Sequence, residues 1–108
     1  MPWKVGTEET EFIQTEIQKL GVRCEKAELD LSLPHSVVSL LDEVESTLGC
    51  ATILVNNAPY STQTGIDSLS AAELDKHYAV NLRATALLAL EFVRRFRSEK
   101  SGRIINLT

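Results

Sequence analysis

Residues 51–57 read Ala51-Thr52-Ile53-Leu54-Val55-Asn56-Asn57, a short apolar run halted by two amides. A strand covered on both faces has this pattern, because its apolar residues do not alternate with polar ones. Such strands belong to parallel sheets, whose helical crossovers lie on the two faces. Long amphipathic helices should therefore flank 51–55.

Upstream, Val37, Val38, Leu40, Leu41, Val44 and Leu48 form an apolar stripe that ends at Gly49. Ser32, before Leu33-Pro34, offers its N-cap with proline in the first turn. Residues 22–29 alternate imperfectly (Val22, Cys24, Ala27, Leu29) and are predicted as a strand. Before them, Thr7-Glu8-Glu9 supplies a cap and first-turn acids, Phe12, Ile13, Ile17 and Leu20 a stripe, and Gly21 a stop. A helix over 8–20 follows.

Downstream, Pro59 to Ser70 is polar and reads as a loop with one turn. Ser70 and Glu73 make a capping box that opens a helix over 71–97. Between Tyr78 and Val93 that helix is apolar on more than one side. One side suffices to cover a sheet, so a second calls for something else to pack there. Ser101-Gly102 is a turn and 103–108 a strand. The order α-β-α-β-α-β calls for an α/β fold with right-handed crossovers.

Composition narrows the function. At 108 residues, with 44% hydrophobic and 24% charged, the chain is one globular domain or part of one. Net charge is −4, which excludes binding driven by neutralised nucleic-acid phosphates. The cluster Arg94, Arg95, Arg97, Lys100 and Arg103 suits the C-terminal end of a helix dipole. No apolar run nears the ~18 residues of a membrane span. Cys24, Cys50, His35 and His77 are isolated, so no metal site is expected. The cysteines read as unpaired buried thiols of a reducing, cytoplasmic compartment, and both histidines as surface groups.

Open α/β sheets bind ligands at the carboxyl ends of their strands. Three such ends occur: Asp30-Leu31, Asn56-Asn57-Ala58 and Asn106-Leu107-Thr108. Two successive asparagines there either tie strand ends together or line a ligand. Asn81, between Val80 and Leu82 on an apolar stretch of helix, poses the same choice, since a buried amide must be paired. Residue chemistry leaves both roles open.

The string Ile53-Leu54-Val55-Asn56-Asn57-Ala58, then Ala79-Val80-Asn81-Leu82, then Gly102-Arg103-Ile104-Ile105-Asn106-Leu107-Thr108, resembles the short-chain dehydrogenase/reductase family. Asp30-Leu31-Ser32 fits that family's Asp-Leu-Ser/Thr segment. Each motif alone is weak; their order and spacing across nearly the whole chain are specific. The resemblance implies a Rossmann-like, doubly wound parallel sheet in three α-β-α layers, and NAD or NADP as cofactor. It places Asp30 and Leu31 against the adenine ring, and Asn57 and Ala58 along the ribose and nicotinamide. Asn81 would join a catalytic tetrad with Ser, Tyr and Lys, holding a water in the proton relay while hydride passes between nicotinamide and a small carbonyl or alcohol substrate. It also implies a homo-oligomer built on helix 71–97, whose second apolar face around Leu87, Leu88 and Phe92 would meet another subunit.

Several family features do not occur in these residues. Pro59 stands where the family usually has glycine, and it lacks a backbone N–H. The glycines are isolated, with no closely spaced set to cradle a pyrophosphate. No Tyr-x-x-x-Lys occurs: Tyr60 is followed four on by Thr64, and Tyr78 by Leu82. The chain is thus expected to be the middle of a member about twice as long, inactive by itself. A non-catalytic association module using helix 71–97 is the alternative; a flavodoxin-like domain would need an early phosphate loop. With family strand order 3-2-1-4-5, residues 51–55 and 103–108 should pair in parallel. Residues 22–29 should lie about 14 Å from 51–55.

Overall fold

A computed structural model describes residues 7–57, 65–99 and 101–107. Helix α1 spans Thr7–Gln18 and α2 spans Pro34–Thr47. Strand β1 is Ile53–Asn56. The long helix is composite: α3 (Ala71–Tyr78), a π-helical segment Ala79–Ala84, and α4 (Thr85–Arg95). Strand β2 is Arg103–Asn106.

β1 and β2 pair in parallel, with Ile53 opposite Arg103 and Asn56 opposite Asn106. Arg103 N–H donates to the Thr52 carbonyl and Leu107 N–H to that of Asn56, each at 3.0 Å, extending the ladder at both ends. The expected parallel pairing is therefore present. With its flanking helices, the pair is a partial Rossmann-like α/β fold.

Local chemistry sets most boundaries. Ser70 Oγ accepts the Glu73 N–H at 3.2 Å, the expected cap of α3. Gly49 has φ +95° just past α2, and its N–H donates to Val44 O at 3.1 Å, closing the helix through a left-handed residue. Gly21, with φ +85°, ends the turn after α1 in the same way. The cap of α2 differs from expectation: Leu33 occupies the N-cap with no side-chain bond, while Ser32 turns back to Asp30. Gly102 is held by contact, since a Cβ there would lie 2.7 Å from the Phe96 ring.

Residues 22–29 form no strand and pair with nothing in the sheet. Side chains hold them instead. Gln14 and Gln18 donate to the Cys24 carbonyl at 2.8 and 3.3 Å. Arg23 donates to the carbonyls of Thr47 and Leu48 at the end of α2, where cations suit the dipole.

The core is a cluster of Val37, Leu41 and Leu88, with Leu40, Leu54 and Leu87 packed on it. It seals α2 and α4 onto the face of β1 that carries Leu54. This corrects the expected subunit face: Leu88 and Phe92 are 7% and 5% exposed, buried within the chain. The outward apolar side of the composite helix is instead Tyr78, Leu82, Leu90 and Val93. Arg95 bridges α4 to α2, its Nη1 lying 2.8 Å from Asp42. Cys24 is half-buried and Cys50 exposed, so the thiols are free but not buried as expected.

Candidate functional site

At the carboxyl end of the sheet, Asn56 is buried and its Nδ2 donates to Asn106 Oδ1 at 2.7 Å. The first asparagine of the pair is thus a tie between strand ends. Asn57, the next residue, is exposed beyond the tie. Ala58 and Pro59 lie outside the described residues.

Asp30-Leu31, expected at a strand end, instead follows an unpaired segment and forms a tight turn. Asp30 Oδ1 accepts both the Ser32 N–H, at 2.9 Å, and the Ser32 hydroxyl, at 2.6 Å. Leu33 N–H donates to the Asp30 carbonyl at 3.1 Å, closing the turn, and Leu31 is half-buried inside it. The Ser32 hydroxyl and N–H hold the Asp30 carboxyl below the ordinary carboxylate range, and the charge of Lys76 on α3 adds to this. Asp30 therefore presents a carboxylate acceptor at neutral pH.

Asn81 sits in the π-helical segment and its residue is exposed. The expectation of a buried amide does not hold within this chain. A π segment widens the helix by one residue per turn, a distortion found often at functional positions. Arg83, two residues on, donates from Nη2 to the Ser32 carbonyl at 2.6 Å. The structure thus connects the Asp30 turn to the segment carrying Asn81. Sequence reasoning passed over Arg83. The available signal was a cation flanked by Leu82 and Ala84 in the largely apolar stretch of the helix, which calls for a partner.

Among the described residues no group of His, Cys, Asp or Glu could hold a metal ion. Among the described residues no helix is long and apolar enough to cross a membrane.

A family profile described as short chain dehydrogenase matches residues 3–108. An uncharacterized oxidoreductase, YjdA, of Bacillus subtilis (strain 168) is 44% identical over 108 residues, covering 98% of this chain and 43% of the relative. A short chain dehydrogenase from Burkholderia cenocepacia J2315, solved in complex with NADP, superposes with a TM-score of 0.83 at 28% identity, over 93% of this chain and 40% of that one. A metagenomic short-chain oxidoreductase, also in complex with NADP, gives 0.80 at 30% identity, over 94% and 46%. The chain belongs to the short-chain dehydrogenase/reductase family, and it spans less than half the length of each of these relatives.

Proposed function

We propose that the chain forms the adenosine- and nicotinamide-facing part of an NAD(P)-dependent oxidoreductase site acting on a small carbonyl or alcohol. The observation that carries this reading is the pairing, on one Rossmann-like scaffold, of an exposed Asn57 at the end of a parallel strand with an Asp30 turn pinned to the Asn81 segment. Their chemistry fits a dinucleotide. A carboxylate acceptor and an apolar neighbour, Asp30 and Leu31, suit an adenine amine and ring face. Asn57 and Ala58 suit ribose hydroxyls and the nicotinamide side. Pyrophosphate finds no glycine-rich cradle in these residues.

A nicotinamide cofactor supplies hydride when bound. Asn81 orients a water for proton transfer at the substrate oxygen, and the tie between Asn56 and Asn106 keeps the strand ends in register beneath the site. The reading includes a cytoplasmic setting and a homo-oligomer.

A second reading, a non-catalytic association module, is favoured by the exposed side chains of Tyr78, Leu82, Leu90 and Val93 along one helix. The two are separated by titrating isotope-labelled chain with NADPH while following amide resonances and sedimentation. Shifts confined to Asp30, Leu31, Asn57 and Asn81, at millimolar rather than micromolar affinity, support the oxidoreductase reading; NADPH consumption with a carbonyl panel stays at background. Self-association with no resonance shifts at those positions favours the module and overturns the first reading.

A further inference from the structure

Ser32 is gripped at all three of its polar groups. Its N–H and hydroxyl donate to Asp30 Oδ1, and its carbonyl accepts from Arg83. The first two bonds are local, made within the turn. The third spans 51 residues and joins the turn to the π-helical segment. A turn braced only from within keeps its shape but can swing as a unit. One braced from a helix is fixed in direction as well.

We propose that Arg83 is a positioning residue for the adenosine end of the nucleotide, setting the direction of the Asp30–Leu31 corner; this rests on the oxidoreductase reading above. The geometry supports it in three ways. The 2.6 Å bond carries the full guanidinium charge, so it belongs to the stronger class of hydrogen bonds. Arg83 is half-buried, which limits competition from water. The bonded carbonyl immediately precedes Leu33, the N-cap of α2, so a shift of Arg83 moves the corner and the helix start together. Arg83 also lies two residues from Asn81. Occupancy at Asp30 and the setting of the Asn81 segment are thereby mechanically joined.

The test compares wild-type chain with Arg83→Met, which keeps the apolar stem and removes the donors, and with Arg83→Lys, which restores charge without the planar fork. Without ligand, amide exchange at Leu31, Ser32, Leu33, His35 and Ser36 should quicken about tenfold in Arg83→Met, with little change in the last turns of α2. With adenosine 5′-monophosphate at millimolar concentration, Asp30 and Leu31 resonances should shift in wild type. The dissociation constant should rise about tenfold in Arg83→Met and less in Arg83→Lys. Resonances of Asn81 should follow the nucleotide in wild type and stop following it in Arg83→Met. Should Arg83→Met not fold, Arg83→Lys carries the same comparison in smaller measure. Equal affinity and equal exchange across the variants overturn the positioning role and leave the nucleotide reading standing. No shift at Asp30 or Leu31 in wild type overturns both.

Discussion

The side-chain amide of Asn56 donates to the side-chain oxygen of Asn106 at 2.7 Å, bridging two strand ends that are 50 residues apart in the chain. Asn56 is 9% exposed, so this bond replaces water that the amide has lost. Asn106→Ala should orphan the buried amide and destabilise the fold by ~1–3 kcal/mol. Adding Asn56→Leu should restore part of that loss, because no unpaired donor remains. Urea unfolding of the singles and the double, read as a mutant cycle, measures the coupling; additive losses would rule the tie out.

Leu88→Ala should cost ~2–5 kcal/mol, since it opens a cavity in the cluster that joins α2 to α4. Val93→Glu, on the outward side, should change folding stability by less than ~0.5 kcal/mol. If the outward stripe mediates association, Val93→Glu lowers the sedimentation coefficient while leaving unfolding alone. A Leu88→Ala chain as stable as wild type would contradict the core assignment.

In a full-length enzyme carrying this segment, Asn81→Ala should lower turnover roughly 10²-fold with little change in cofactor affinity. Near-normal turnover would assign Asn81 a structural role only.

Acid should selectively weaken the Asp30 turn. The Ser32 hydroxyl and N–H lower the folded-state pKa of Asp30 below its unfolded value. A depressed carboxyl stabilises fully above its unfolded pKa, near about 4, and loses that contribution as pH falls through the folded value. Asp30→Asn should therefore lower the midpoint at neutral pH, with the gap to wild type closing in acid. A gap that stays constant from about pH 7 to about pH 2 would exclude the linkage.

The sequence disclosed those parts of the fold that local chemistry dictates. The Ser70 cap, the stop at Gly49 and the apolar run ending at Asn56 each act within a few residues, and each stands where expected. Residues 22–29 depart from expectation because a strand is defined by its neighbours, and an imperfect alternation cannot reveal whether a ladder partner is present. The π segment escaped for a related reason. Its i→i+5 bonding inserts a residue into an apolar stretch whose periodicity, averaged over 71–97, still reads as one helix. The burial of Leu88 and Phe92 is not legible in the sequence because a helix apolar on more than one side does not declare which side meets the sheet. At the site, Asp30, Leu31, Asn57 and Asn81 were nameable from motif order. The bond from Arg83 to Ser32 was not, since nothing local to either residue specifies the other.

The parallel register of β1 and β2 also governs how the chain acquires its structure. Leu54 meets Ile104 only after the whole composite helix has folded back between them. No short hairpin can start such a sheet, so closing this loop must precede any ladder bond. The core contact between Leu41 and Leu88 requires much the same closure. Sheet and core therefore depend on the same long-range closure, slow compared with helix formation on either side. Lengthening the 57–70 connection should slow folding while barely altering unfolding, because the added closure entropy is spent before the transition state and never returned.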